Sequence, residues 1–466
     1  MTDHLILGAM FRAVGAYPSG WRFPGAHHDP RDDAAVLRRT ALAAEAAKLD
    51  YIFFGDWLAT GHDLEFRDPY LLARIDPVSA IAHLSGVTER IGLIATANTT
   101  YFDLYTLARL TASIDRLSDG RAGLNLVTGA EPRAAGNHGR DAHAPNEHRY
   151  DQATEFVDAL TRLWDSWEDD AFVLDQGTGT FIDPDRLHRT DAVGEHVRVT
   201  GPLNVARPVQ GRLPIVHAGT SPRSRQLAAE AADLALIAAP SREAAVQIRA
   251  GLREAAASAG RPSGALKVVT PVLPVVAPTR ALAQDIFDEL LRLVPLDDGS
   301  PLSRSAAFPA NRSVASLAGT VGTELGAAGL DDAVPASVAA AFNDDGQRLI
   351  ELVASRTRRR VGGDLPVTYR HLIASNAVPA AAVVGSSSEV ADHLESWFTS
   401  GAADGFNVLT PYLPAQFDAF THDVVPELQR RGLFRTEYEG TTLREHLGLP
   451  VPANTHTVDE LVDARG

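Results

Sequence analysis

Between Leu213 and Asp233 the chain reads LPIVHAGTSPRSRQLAAEAAD. The apolar run Leu213 to Ala218 has the composition of a strand buried on both faces. Gly219 turns the chain, Ser221 stands at an N-cap position, and Pro222 occupies the first helical position, where its missing N–H costs nothing. Leu227, Ala228 and Ala231 give the following helix a buried face. A strand that enters a helix through Gly219, Thr220 and Ser221 leaves backbone N–H groups and two hydroxyls converging on one spot, which suits an anion such as a phosphate. The same residues also read as an ordinary strand–helix unit with a satisfied serine cap. Other small polar or aromatic residues that could share a site with it are Phe11 and the loop to His28, Asp56-Trp57, Thr96, Asn98, and Asn125 to Gly129. The pairs His27/His28 and His138/His143 lack consistent carboxylate partners, so no metal site is expected. No GxSxG elbow or GxxxxGK[ST] loop occurs. Small hydroxyl and amide side chains around an anion cradle suit a planar heteroaromatic phosphate cofactor better than a hydrolytic centre.

The elements that must position these residues alternate along the chain. Strands are expected at His4 to Phe11, Tyr51 to Gly55, Ile91 to Thr96, Ala122 to Thr128, Leu213 to Ala218, Leu234 to Ala238, Leu266 to Val276 and Gly405 to Thr410. Helical patterns lie between them. Val36, Leu37, Leu42 and Leu49 fall near one face of the first, and Leu107, Leu110 and Ile114 are in register in the third. Eight such units predict a (β/α)₈ barrel with insertions, an α/β fold whose active site lies at the C-terminal strand ends. The residues collected above all follow strands.

A single barrel over 1–435 is expected, with a β-hairpin insertion at about 172–203 and a larger insertion at about 297–376. The second is a lid candidate, with Gly299-Ser300 and Gly362-Gly363 as hinges. The rhythm resumes at Val383 to Gly385 and a capping box from Ser386 to Glu389. The stretch 436–466 reads as a C-terminal tail.

At 466 residues and 45% apolar, the chain can bury a large core. A net charge of −16 disfavours nucleic acid or an anionic membrane as main partner. The absence of cysteine excludes disulfides and thiolate chemistry. With no signal peptide and no apolar run near membrane length, a cytoplasmic protein is expected.

Five segments, read together, resemble the flavin-dependent monooxygenases of the bacterial-luciferase-like superfamily, in the branch that contains nitrilotriacetate, dibenzothiophene-sulfone and long-chain-alkane monooxygenases. They are Tyr51 to Trp57 (YIFFGDW), Leu107 to Thr128 (LARLTASIDRLSDGRAGLNLVT), Arg149-Tyr150 with Trp164 to Asp170 (WDSWEDD), Ala218 to Ser221, and Gly432 to Leu449 (GLFRTEYEGTTLREHLGL). The resemblance implies a two-component enzyme. A separate NAD(P)H:flavin reductase would supply FMNH₂ by diffusion, and O₂ would add to the reduced flavin as a C4a-hydroperoxide that oxygenates a small organic substrate. It places Asp56, Thr96 and Asn98 near the isoalloxazine, Thr128 and Gly129 on the cleft wall, and Tyr150, Thr220 and Ser221 at the FMN phosphate. It also implies a homodimer or homotetramer. Three positions depart from the family pattern. Asn146 stands where a His is usual, Gly129 where a Ser is usual, and Leu124 where a Trp is usual. Asn146 can still hydrogen-bond phosphate or ribityl oxygens but carries no charge. A deazaflavin-dependent hydride-transfer enzyme and a non-catalytic flavin-binding barrel are the alternatives.

The residues expected at the substrate are Phe11, Trp21, His27, His28, Trp57 and Phe102, which lean towards an apolar or aromatic molecule. Plainer readings stand beside these assignments: Asp56 as a turn carboxylate, Tyr150 as a half-buried helix residue, the tryptophans as core, and the two histidines as solvent-facing.

Overall fold

A computed structural model describes residues 4–60, 74–262, 264–296, 312–375, 377–378 and 380–457. Eight parallel strands form a closed ring: β1 (Ile6–Met10), β2 (Tyr51–Phe54), β3 (Gly92–Asn98), β4 (Ala122–Val127), β5 (Ile215–Ala218), β6 (Leu234–Leu236), β7 (Lys267–Val276) and β8 (Gly405–Leu409). β7 pairs with both β6 and β8, and β8 pairs with β1, which closes the barrel. The registers drift by eight residues in one circuit, the shear of a (β/α)₈ barrel. Alternate residues point out against the helices (Leu7, Ile52, Leu93, Leu124, Phe406) or in towards the axis (Ile6, Phe53, Ile94, Val216, Val269).

The surrounding helices begin where cap chemistry puts them. These are α1 (Asp33–Ala46), α2 (Pro77–Ser85), α3 (Leu104–Leu117), α4 (Asn146–Trp164), α5 (Pro222–Ala231), α6 (Arg242–Ser258), α7 (Arg280–Leu293) and α8 (Ser387–Thr399). Asp76, Asp103, Ser221, Ser241, Thr279 and Ser386 each accept the N3 backbone N–H of the helix they open. Two residues assigned to buried stripes face water instead: Leu42 in α1 and Leu110 in α3. Alanines such as Ala41, Ala44 and Ala108 make the contact, because close helix–strand approach favours small side chains.

β7 is longer than its barrel neighbours. Its outer half leaves the ring, and Val272–Val276 pairs with Ala381–Gly385. This extension carries a second core built from α7 and the insertion helices, with Phe287, Leu317, Val353 and Leu372 at its centre. The loop after β1 is tied to it: Tyr17 Oη donates to Ala374 O at 2.7 Å, and Ser19 Oγ to Leu290 O at 2.7 Å. Gly362 lies in this insertion with φ +72, whereas Gly299-Ser300 is outside the described residues. The 172–203 insertion contains two small antiparallel pairs, Phe172–Asp175 with Thr180–Ile182 and Ala192–Val193 with Arg198–Val199.

The C-terminal segment is more than a tail. A short helix, Leu443–His446, opened by a Thr442/Glu445 capping box, stops the N-terminal end of the barrel. Leu443 fits because β3 and β4 carry glycine beneath it. A Cβ at Gly92 would come within 2.4 Å of its side chain, and one at Gly123 within 2.7 Å. Among the described residues no helix is long and apolar enough to cross a membrane.

Candidate active site

The barrel opens at its C-terminal end, where β4 and β5 part. They pair only at Leu124↔Ile215 and Asn125↔Val216, while β4 stays with β3 as far as Asn98↔Val127. His217 fills the gap. Its Nδ1 is 2.7 Å from Leu126 O, so that nitrogen carries the proton, and its Nε2, 3.0 Å from Ser224 Oγ, accepts the hydroxyl. Burial lowers the pKa of His217, which keeps the imidazole neutral. Sequence reading passed over this residue because it sits inside the apolar run of β5.

Above the parted strands lies a cleft of about 280 Å³. Asp56, Trp57, Asn98, Thr128, Gly129 and Tyr150 all line it, from the ends of three strands and from α4. Asn98 Oδ1 accepts Thr100 N–H at 2.9 Å, which turns its Nδ2 towards Gly129. A Cβ on Gly129 would stand 2.3 Å from that nitrogen, and its φ is +74. The glycine at this position therefore leaves room for the Asn98 amide. Asp56 Oδ1 accepts Trp57 N–H at 2.8 Å, and burial raises the Asp56 pKa above the usual carboxylate value. The Trp57 indole Nε1 is buried without a partner among the described residues. Tyr150 stands edge-on to His217 with ring centres 6.2 Å apart.

Ala218, the last residue of β5, borders the cleft and leads directly into Gly219, Thr220 and Ser221. Ser221 Oγ accepts Ser224 N–H at 3.2 Å as the cap of α5. A Cβ on Gly219 would meet Ser224 Oγ at 2.2 Å, so only glycine lets the chain pass so close to the helix start. Among the described residues no carboxylate accepts a backbone N–H from the first turn of α5. Arg223 turns instead to α4, with its Nη2 on Asp151 and its Nε 3.3 Å from Glu147 Oε2.

Other expected residues stand elsewhere. Thr96 lies inside the barrel and accepts Asn125 Nδ2 at 2.9 Å. Asn146 is exposed at the start of α4, where its Oδ1 accepts Arg149 Nη2 at 3.1 Å. Phe11 packs on Phe54 in the outer core, and Phe102 is half-buried against that core. Trp21 lies half-buried in a short helical turn, Gly20–Arg22. His27 Nε2 is 2.6 Å from Asp33 Oδ1, and His28 Nδ1 is 3.0 Å from Ala26 O. Both histidines border a separate cavity of about 290 Å³ against α1 and Phe417. Of the six residues expected at the substrate, Trp57 borders the cleft and the other five do not.

A family model described as luciferase-like monooxygenase matches residues 17–404. The chain belongs to the luciferase-like monooxygenase family. It is 37% identical over 458 residues to nitrilotriacetate monooxygenase component A of Aminobacter aminovorans, covering 96% of this chain and 97% of that one. EDTA monooxygenase from Chelativorans sp. BNC1 superposes with a TM-score of 0.76 at 29% identity, covering 97% of this chain and 100% of that one. Riboflavin lyase, solved with modified FMN and riboflavin, superposes with a TM-score of 0.74 at 27% identity, and each chain is 97% covered. The family comprises flavin-dependent monooxygenases.

Proposed function

We propose that this luciferase-like monooxygenase is the oxygenating component of a two-component system that uses FMNH₂ and O₂. The observation that carries this reading is the continuity between the cleft and the start of α5. A wall that includes Asn98, Thr128 and Gly129 ends at a helix N-terminus whose amides no described carboxylate occupies. Tyr150, Thr220 and Ser221 would hold the phosphate. Asp56, Asn98, Thr128 and Gly129 would line the ring, with Thr96 behind them and Asn146 acting through Arg149. Bound reduced FMN supplies the activation of O₂ and the transfer of one oxygen atom. The chain's own tasks are to orient the ring, exclude water and present the substrate.

The name component A, borne by the Aminobacter relative, supports a separate NAD(P)H:flavin reductase as transient partner. The absence of cysteine and the acidic composition fit a cytoplasmic protein. A homodimer or homotetramer and lid closure by the 297–376 insertion complete the proposal. Incubation with FMN, a generic flavin reductase and ¹⁸O₂ across a substrate panel should place one labelled atom in a product. Label in water alone would remove the oxygenase reading. The Ser221→Asp variant should weaken FMN about tenfold or more through like-charge repulsion and leave riboflavin, which lacks the phosphate, within about twofold. Equal loss for both flavins would contradict the phosphate placement.

A further inference from the structure

The barrel axis holds a layer in which three buried polar atoms have no partner among the described residues. Following the registers around the ring puts Phe53, Asn125, Leu236 and Asn407 at one height, one from each even-numbered strand. The layer below, from the odd strands, is Gly8, Ile94, Val216 and Val269; the layer above is Met10, Thr96, Ala218 and Pro271. The lower layer is the apolar interior. The upper layer is not sealed, since Met10, Ala218 and Pro271 are only half-buried, as is Leu236 beneath them. The middle layer is therefore the floor of the barrel mouth.

Two of its four residues are primary amides. Asn407 is 1% exposed, and among the described residues neither its Oδ1 nor its Nδ2 has a hydrogen-bond partner. Asn125 is 3% exposed; its Nδ2 reaches Thr96 and its Oδ1 has no partner among the described residues. Strands 4 and 8 stand opposite each other, so the two amides face across the axis. Three unpaired polar atoms in one interior layer are a standing cost to the fold, which valine or leucine would not incur. Groups of this kind are retained where a ligand completes them.

The cleft borders the ends of β2 to β5. Asn407 belongs to the other half of the mouth, whose upper wall is Met10 of β1 and Pro271 of β7. We infer that this half receives the oxygenated substrate, and that the substrate is a largely apolar molecule bearing one neutral hydrogen-bonding group, such as a ketone, lactam, amide or hydroxyl, which Asn407 and Asn125 meet. The inference rests on the flavin-monooxygenase reading, which assigns the cleft half to FMN. The floor layer holds no cation to offset a carboxylate, so a polycarboxylate finds no counter-charge there.

The test uses the full chain with FMN bound, and reads binding from the change in the flavin's visible spectrum. The probes are 1-tetralone, its hydrocarbon counterpart tetralin, and nitrilotriacetate. Wild type should bind tetralone about tenfold or more tighter than tetralin, and nitrilotriacetate weakest. Asn407→Val should abolish the preference for the carbonyl probe, and Asn407→Ser, which keeps one hydroxyl, should retain part of it. Removing an unpaired amide should also raise the melting temperature of Asn407→Val by about 1–2 °C. No carbonyl preference in wild type, a preference that survives Asn407→Val, or tightest binding of nitrilotriacetate overturns the inference. A fall in melting temperature does so too, because it reveals a structural partner for the amide. Failure of wild type to bind FMN at all counts against the flavin reading instead, and the melting experiment still judges the floor.

Discussion

At the closed end of the barrel, buried arginines and carboxylates find dense sets of partners within the chain. Asp165, fully buried, accepts Arg207 Nε and Nη2 at 3.2 and 3.1 Å on one oxygen, and Arg212 and Thr455 on the other. Arg121 spends its guanidinium on Ser118 O, Thr88 Oγ1, Ile91 O, Ser85 O and Thr88 O. At the open end the opposite holds: Trp57 Nε1, Asn125 Oδ1 and both amide atoms of Asn407 are buried without partners among the described residues. One end is largely finished by the chain itself, with His446 Nδ1 the exception there among the described residues. The other is left incomplete, in the way a surface kept for a ligand must be.

The largest break in this comparison should come from the closed end. Asp165→Ala leaves Arg212 without its carboxylate and Arg207 with Asp169 alone, and removing one side of a buried pair costs about 3–5 kcal/mol. A urea titration should show the shift in midpoint, while FMN affinity of the folded fraction stays within about twofold, since Asp165 is far from the cleft in the fold. Loss of FMN binding without loss of stability would reverse the roles assigned to the two ends.

Asp115 sharpens the contrast through pH. It is buried at the closed end without a cation, and holds Gln210 Nε2 at 2.7 Å; burial raises its pKa to about 6. The ordinary value is about 3.9. A carboxyl whose folded pKa is raised favours the fold while protonated. Its contribution is full below about pH 4 and is lost as pH climbs through about 6. The difference is on the order of 2–3 kcal/mol. The urea midpoint of wild type, followed from pH 4 to 7, should carry this downward slope, and Asp115→Asn should lack it. Identical slopes in the two proteins would show that Asp115 titrates normally.

The same contrast explains what could be read in the sequence. The barrel was legible because each strand and helix announces itself locally, through apolar runs, Pro at N1 and capping residues. Three of the segments that carry the family resemblance meet at the closed end. Gly120 O accepts Leu443 N–H, Arg121 ties β4 to the end of α2, and Asp165 anchors the chain near Thr455. Their residue types are fixed by buried polar geometry. The open end was legible in part. Asp56, Asn98, Thr128, Gly129 and Tyr150 follow strands or start a helix, and the structure brings them together. His217 and Asn407 were not legible, because both lie inside apolar runs of strands buried on two faces. Which face each presents depends on register, and register is set by neighbours far away in the chain. His27 and His28 failed as cleft residues for the converse reason. Their loop follows β1, but it folds outward over α1, where Asp33 captures His27.

The smallest expected effect tests the open end with one methyl group at a time. Gly129→Ala places a Cβ 2.3 Å from Asn98 Nδ2 at a backbone φ of +74. The strained conformation should cost about 1 kcal/mol, small against the losses at the closed end. The methyl must also push the Asn98 amide out of the cleft wall, so FMN should bind about tenfold more weakly. Gly136, in the short helix Ala134–Asn137 of the same loop, is the control. A Cβ there meets nothing within 4 Å. Gly136→Ala should leave FMN affinity within about twofold and hold or slightly raise stability, because alanine loses less chain entropy on folding. Equal FMN affinity in the two variants would show that Asn98 does not face the bound flavin, and would leave the cleft's chemistry to Asp56 and Trp57 at the end of the neighbouring strand.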